Sequence, residues 1–208
     1  DNDNDSIKKA FSQLKEKLNE NISISYASEY MLDSSIIEKA QNKELLCIKN
    51  KYVLVEMSYI APPMNLFEII YEIKVNNYTP IMAHPERYRG IQKDIKLAKK
   101  WIERGYLIQI DCASITGGFG KDIQRVSLEL LKNGFCHLVG SDAHNNKRRN
   151  FLMKPALQQI GKLINQDVVE IIRDNSIRIL NGNDCLSYSV KNIEKSFFNK
   201  IKSYINGK

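Results

Sequence analysis

The apolar positions of this chain fall into short runs that alternate with segments of helical spacing. Five runs have the length and composition of β-strands, and their starts lie about 20 to 30 residues apart. The predicted strands cover residues 22–26, 52–57, 80–83, 106–111 and 135–140. Because a helical segment separates each strand from the next, the pattern predicts a parallel α/β fold.

Apolar residues three and four positions apart predict the helices that lie around these strands. The predicted helices cover about residues 7–18, 34–42, 65–75, 95–102, 122–132, 155–165, 167–174 and 190–205. A short apolar segment at 177–180 stands apart from them. The last helix is amphipathic with a lysine-rich outer face, and we interpret it as packing on the body of the protein.

Acidic and imidazole side chains follow the ends of two predicted strands. The run that ends at Gly140 leads into Asp142 and His144, and the run that ends at Ala83 leads into His84. Carboxylate oxygen and imidazole nitrogen both suit a divalent metal ion. Taken alone, either histidine is explained equally well as a structural residue or as a metal ligand. Two matched cases favour a site, because ligands of α/β proteins bind beyond the carboxyl ends of strands.

Two glutamates have comparable positions. Glu29 follows the first predicted strand, and Glu56 lies near the end of the second. Taken alone, Glu29 is more simply a surface residue. Together with the histidines, it becomes a candidate metal ligand.

The composition excludes several classes of protein. The 208 residues are 43% hydrophobic and contain no apolar run of membrane-spanning length and no signal peptide, which predicts a cytoplasmic globular protein. Four cysteines form no metal-binding pair, and none has the arginine six positions later that a cysteine-dependent phosphatase needs. The net charge of +7 fits an acidic or phosphorylated partner, or simply a solvated surface. No motif indicates nucleic-acid binding.

Two further segments could contact a ligand. The turn at 116–121 is rich in glycine but lacks the spacing of a phosphate-binding P-loop, so we interpret it as backbone that approaches something closely. The basic triplet at 147–149 follows Asp142 and His144. Arginine there could bind phosphate through two parallel hydrogen bonds.

Three segments in order, Ala-Ser-Glu-Tyr at 27–30, Ala-His-Pro-Glu-Arg-Tyr at 83–88 and Gly-Ser-Asp-Ala-His-Asn at 140–145, give the chain a family resemblance. It resembles the polymerase and histidinol phosphatase (PHP) superfamily, in particular the manganese-dependent protein-tyrosine phosphatases of bacterial capsule and exopolysaccharide operons. The resemblance covers roughly residues 5–185.

The resemblance implies a distorted (β/α)7 barrel over residues 1–185, with the amphipathic helix of 186–208 packed on it. It implies a site for up to three ions, Mn²⁺ first and Fe or Zn as alternatives. The implied metal ligands are Glu29, His84, Asp142 and His144. The implied phosphate-binding residues are Arg87 and Arg149, with Arg148 as the alternative to Arg149. Glu56, Asp111 and a metal-bound water remain open as the proton donor to the leaving group.

The implied reaction is hydrolysis of phosphotyrosine on proteins, the family partner being the phosphorylated tail of a capsule-assembly tyrosine kinase and the product inorganic phosphate. Two alternatives stay open: a small-molecule phosphatase, such as one acting on histidinol phosphate, and a catalytically incomplete binding fragment. An oligomer is compatible with the sequence.

The family's opening Asp-x-His-x-His strand and its Thr-Pro-His segment are not present in this sequence. From the resemblance, we therefore expect this chain to lack about the first 60 to 80 residues of the family domain. That part would contain about two strands and at least three metal ligands.

Overall fold

Five parallel strands form a single sheet in the structure, a computed structural model that describes residues 3–19 and 21–190. The strands are β1 (Glu29–Met31), β2 (Tyr52–Glu56), β3 (Thr79–Ala83), β4 (Leu107–Asp111) and β5 (Leu138–Gly140). Their spatial order is β1-β2-β3-β4-β5, so strands that follow one another in sequence are neighbours. The parallel α/β prediction is confirmed, since every pair of neighbours is parallel.

Helices connect and cover the strands. They are α1 (Asn4–Lys17), α2 (Ser35–Gln41), α3 (Leu66–Val75), α4 (Arg89–Lys93), α5 (Lys96–Glu103), α6 (Cys112–Thr116), α7 (Lys121–Lys132), α8 (Met153–Leu163) and α9 (Gln166–Leu180). A 3₁₀ turn, Pro85–Arg87, lies between β3 and α4. Within the part of the chain that the structure describes, no helix is both long and apolar enough to span a membrane.

The core lies between the sheet and the apolar faces of these helices. The central strands are buried, as expected for parallel strands with helices packed against them. The buried residues of β2, β3 and β4 include Val53, Val55, Ile81, Met82, Ile108 and Ile110. Helix α3 adds Ile69, Ile70 and Ile73. Each such side chain contributes about 1.5–3 kcal/mol through burial, so this packing holds the strand ends in place.

The strand predicted at 22–26 is wrong, and β1 instead begins at Glu29. Residues 22–26 alternate in polarity, but they pair with none of the five described strands, and Ile22 is exposed. Tyr26 packs against Phe11 of α1, with 4.6 Å between ring centroids. The alternating segment 22–26 therefore contacts a helix through Tyr26 and does not form a strand of the sheet. Glu29 is therefore the first residue of a strand and does not follow one.

The end predicted for the helix of residues 167–174 is also wrong. Helix α9 is continuous through Leu180, so the apolar segment at 177–180 is its last turn. The structure also has two short helices, α4 and α6, that the pattern did not predict, because five residues give too little periodicity.

The segment after α9 returns to the body of the protein. The side chain of Asn175 donates to the carbonyls of His137 and Leu186, both at 3.0 Å, and accepts the Leu186 N–H. The hydroxyl of Tyr188 donates to the Leu131 carbonyl at 3.1 Å. Most of the helix predicted for 190–205 lies outside the described residues, so that prediction stands as made.

Candidate active site

Polar side chains from four strand ends meet at the carboxyl edge of the sheet. Glu56 and Asp111 close β2 and β4, while His84 and Asp142 follow β3 and β5. A cavity of about 250 Å³ opens there. The residues that line it are Glu29, Leu54, Ala83, His84, Gln109, Asp111, Gly140, Ser141 and Asp142. The position of the cavity agrees with the sequence-based expectation for ligands of parallel sheets.

Glu29, Glu56 and His84 form a cluster that we call the acidic triad. Nε2 of His84 lies 3.2 Å from Oε1 of Glu29 and 3.6 Å from Oε2 of Glu56. One ligand atom from each residue lies within 4.8 Å of the others. Glu29 reaches this cluster from a strand start because β1 is short: its register sets Glu29 beside Leu54 and Met31 beside Glu56.

The chemistry of the acidic triad fits a divalent cation. Two carboxylates and one imidazole supply oxygen and nitrogen ligands, the set that Mn²⁺, Fe²⁺ and Zn²⁺ accept. Burial raises the pKa of Glu56, and the nearby Glu29 carboxylate raises it further. A cation between the two carboxylates would relieve both effects. Nδ1 of His84 is buried and has no hydrogen-bond partner among residues 3–19 and 21–190, while Nε2 faces the two carboxylates.

His84 and Asp142 share an uncommon backbone conformation. Both have positive φ, 34° for His84 and 45° for Asp142, although neither is glycine. Such a conformation costs on the order of 1–3 kcal/mol and is concentrated at functional sites. The His84 N–H donates to the Gln109 carbonyl at 2.8 Å, which holds the turn against β4. In both cases the chain turns sharply as it leaves the sheet, directly after a buried strand.

Arg87 lies between two carboxylates of the site. Its Nη2 lies 2.7 Å from Oδ2 of Asp142 and also binds Oδ2 of Asp111. Its Nη1 donates to the Tyr59 hydroxyl at 3.3 Å, and its guanidinium lies on the ring of Phe119. The side chain is only 9% exposed. The 3₁₀ turn that follows His84 therefore places a buried positive charge beside Asp111 and Asp142, two carboxylates that line the cavity.

Arg149 approaches Asp142 from the other side, through an ion pair between its Nη2 and Oδ2 of Asp142. The loop that carries Arg149 closes on itself, because its carbonyl accepts the N–H groups of His144 and Asn145 at 2.9 and 3.1 Å. Arg148, the alternative phosphate-binding candidate, is exposed. The two predicted arginines, Arg87 and Arg149, therefore converge on one carboxylate.

His144 lies apart from the acidic triad. Its side chain is 55% exposed, and its Nδ1 lies 2.9 Å from the backbone carbonyl of Asp142. Among the described residues, the group with metal-binding spacing is Glu29, Glu56 and His84 alone. The structure brings Asp142 to the arginines and leaves His144 at the rim, so their assignment as ligands stays a prediction.

The supporting residues beneath the site were not visible in the sequence. Glu86 is fully buried and accepts the Asp111 N–H at 3.1 Å, and its burial raises its pKa to about 7. Tyr88 is also buried, and its hydroxyl donates to the Ala83 carbonyl and accepts the Met57 N–H. It thereby ties the ends of β2 and β3 together. The sequence offered Glu56 only as a candidate proton donor, whereas the structure places this last residue of β2 in the acidic triad.

Comparison with known proteins agrees with this arrangement. A family model described as capsular polysaccharide synthesis, CpsB/CapC, matches residues 1–181. The tyrosine-protein phosphatase YwqE of Bacillus subtilis is 31% identical over 153 residues, which are 73% of this chain and 60% of YwqE. CapC of Staphylococcus aureus is 33% identical over 159 residues, 74% of this chain and 62% of CapC. The chain thus spans about three-fifths of the length of these relatives.

A solved structure is also similar. It comes from work on YwqE of Bacillus subtilis and CpsB of Streptococcus pneumoniae, described as unique metal-dependent tyrosine phosphatases. The TM-score is 0.78 with 27% sequence identity, over 88% of this chain and 73% of the other.

Proposed function

Because the chain belongs to the CpsB/CapC family of capsular polysaccharide synthesis, we propose that it takes part in metal-dependent hydrolysis of phosphotyrosine on proteins. The observation that carries the proposal is the acidic triad beside two arginines that meet at Asp142. A cation site next to guanidinium groups is what an incoming phosphate ester requires. Support also comes from the names of the relatives, which describe tyrosine-protein phosphatases.

Glu29, Glu56 and His84 would hold a Mn²⁺ ion, with Fe or Zn as alternatives. Asp142 and His144 are proposed as further ligands of a site that takes up to three ions. When bound, such an ion acts as a Lewis acid and lowers the pKa of coordinated water. The remaining work falls to the side chains of this chain, which bind and orient the phosphate.

Arg87 and Arg149 are proposed to bind the phosphate oxygens. Both guanidinium groups bind the Asp142 carboxylate, which lines the cavity, so a phosphate dianion bound there would accept hydrogen bonds from donors that already lie beside it. Arg87 is held in place by the buried Asp111 carboxylate, which also accepts the Ala113 N–H at 2.7 Å. We therefore assign Asp111 the role of holding Arg87 in place and not the role of proton donor to the leaving group.

A cysteine nucleophile is not required and finds no support here. Burial raises the pKa of Cys112 to about 12 and that of Cys185 to about 11, and it raises the pKa of Cys136 further. These thiols stay protonated near neutral pH, whereas a nucleophilic cysteine needs a lowered pKa. None of the four lines the cavity at the carboxyl edge.

We further propose that the five strands are part of a distorted (β/α)7 barrel over residues 1–185. The sequential parallel order of β1 to β5 supports this arrangement, as does the TM-score of 0.78. The proposed protein substrate is the phosphorylated tyrosine-rich tail of a capsule-assembly kinase, and the product is inorganic phosphate. The net charge of +7 favours such an acidic partner.

The test is phosphate release from a phosphotyrosine peptide and from histidinol phosphate, with Mn²⁺ and with a chelator. We expect release from the peptide that the chelator abolishes, and slower release from histidinol phosphate. A His84→Asn variant should lose the activity. A preference for histidinol phosphate would replace the proposal with a small-molecule phosphatase, and metal-independent release would contradict it.

A further inference from the structure

Two aromatic side chains, Tyr59 and Phe119, flank Arg87, and the proposed chemistry does not use them. The Phe119 ring centroid lies 4.2 Å from Cζ of Arg87. The Tyr59 hydroxyl accepts the hydrogen bond from Nη1, and the Tyr59 ring lies 5.8 Å from the His84 ring. Tyr59 comes from the β2–α3 loop and Phe119 from the α6–α7 loop. Two separate loops therefore each place a ring beside the same guanidinium.

The position of Phe119 is fixed by the glycines around it. Gly117 ends α6 with φ 88°, and Gly120 precedes α7 with φ 95°, a conformation that favours glycine. The Gly118 N–H donates to the Ala113 carbonyl at 2.7 Å, and a Cβ there would lie 3.2 Å from that oxygen. The glycine-rich turn that the sequence predicted to approach something closely thus folds back on α6 and directs Phe119 to Arg87.

Both rings keep an exposed surface beside Arg87. Tyr59 is 44% exposed and Phe119 is 36% exposed, although the guanidinium between them is buried. Nε of Arg87 is itself buried and has no hydrogen-bond partner among the described residues. An unpaired buried donor of this kind costs free energy unless a ligand accepts it. The donor and the two rings therefore indicate a ligand that combines an anion with an apolar or aromatic group.

We propose that Tyr59 and Phe119 are the specificity-determining residues of the site and select aryl over alkyl phosphate esters. The proposal rests on the proposed function, since the phosphate is taken to bind Arg87. An ester group on that phosphate has both rings within reach. Aromatic pairs contribute about 0.5–1.5 kcal/mol beyond their buried area, which corresponds to about a two- to tenfold preference for each ring.

The test compares the binding of benzylphosphonate and propylphosphonate to the whole chain with Mn²⁺, by isothermal titration calorimetry. Both ligands carry a P–C bond and resist hydrolysis, so the measurement does not depend on turnover. We expect the wild type to prefer the benzyl compound by about tenfold, and Phe119→Leu to reduce that ratio by about two- to tenfold. Tyr59→Leu should act likewise, whereas Tyr59→Phe and Phe119→Trp should retain the preference.

Phe67→Leu is the matched control. Phe67 also lies against a guanidinium, with Arg104 Cζ 4.8 Å from its ring centroid, but it belongs to α3 and lines a different cavity. This variant should leave the ratio unchanged. Equal weakening of both ligands by Phe119→Leu would show that Phe119 only orients Arg87, and it would overturn the proposal.

The outcomes distinguish the proposed aryl selectivity from the proposed phosphatase activity. A benzyl preference without phosphotyrosine hydrolysis would support the proposed role of Tyr59 and Phe119 and would contradict the proposed phosphatase activity. Hydrolysis with no aryl preference, or no binding of either phosphonate, would overturn the proposed role of Tyr59 and Phe119.

Discussion

At the scale of single residues, the structure distinguishes two adjacent arginines that the sequence left as alternatives. Arg149 binds Asp142 at the edge of the cavity, while Arg148 is exposed on the same loop. The difference arises because the loop closes through the Arg149 carbonyl, which fixes that residue and leaves its neighbour in solvent. Sequence offset alone could not decide this, because both side chains are long and flexible.

We expect Arg149→Met to weaken the binding of inorganic phosphate to the Mn²⁺-loaded chain by about tenfold or more. A charge-assisted hydrogen bond contributes about 1.5–3 kcal/mol, and this variant removes one. Arg148→Met removes the same charge from the same loop and should change the affinity less than about threefold, since exposed charges are screened. Calorimetric titration measures both. Equal losses would assign phosphate binding to the general charge of the loop.

Arg87 should also be important for stability. Its removal leaves two carboxylates, Asp111 and Asp142, without their buried partner. Breaking a buried ion pair on one side costs about 3–5 kcal/mol, so Arg87→Met should lower the free energy of unfolding by about 3 kcal/mol in urea titration. Arg125→Met removes a 56% exposed i,i+4 pair with Glu129 and should cost under about 1 kcal/mol. Similar values for the two variants would contradict the ion-pair account.

At the scale of the elements, strand ends were predicted better than strand starts. The ends of β2, β3, β4 and β5 lie within one residue of the predicted positions, because polar residues follow each apolar run abruptly. The first strand was misplaced because alternation at 22–26 is a local signal, whereas pairing with β2 is not. The helix predicted at 167–174 was ended too early for the same reason, since the sequence pattern does not show which residues of α9 face β5.

The junction of β4, β5 and α9 contains the third histidine, which the sequence left unassigned. Nδ1 of His137 accepts the Ile108 N–H at 3.1 Å, and burial lowers the pKa of His137 to about 4. Its pKa in the unfolded chain is about 6.5. Between these values the unfolded state binds the extra proton, so the contribution to stability is present above pH 6.5 and is lost as the pH falls toward 4.

We therefore expect the melting temperature to fall on acidification from pH 7 to pH 4.5 more steeply in the wild type than in His137→Asn. Asparagine can retain an acceptor near the position of Nδ1 but does not titrate in this range. The full effect corresponds to about 3 kcal/mol. Circular dichroism melts across this range measure the difference. Parallel pH profiles would show that His137 is not the group responsible.

At the scale of the whole molecule, the sequence predicted the parallel α/β arrangement but not the contacts of the candidate site. The parallel order followed from helices between strands, and His84 and Asp142 became candidates because they follow buried runs. The contacts of Arg87 with Asp111 and Phe119 join residues 24 and 32 positions apart. They depend on how the loops fold over the sheet, which periodicity does not encode.

The proposed role of the acidic triad is to hold the metal ion on which phosphate hydrolysis depends. The direct measurement is the Mn²⁺ binding isotherm of the chain and of Glu56→Gln. We expect the wild type to bind at least one ion and Glu56→Gln to weaken that binding by at least about tenfold, since even residues that only orient metal ligands change affinity by 10–100-fold. Glu103→Gln, an exposed glutamate of α5, should bind as the wild type does. Equal isotherms for all three proteins, or no binding to the wild type, would contradict the account.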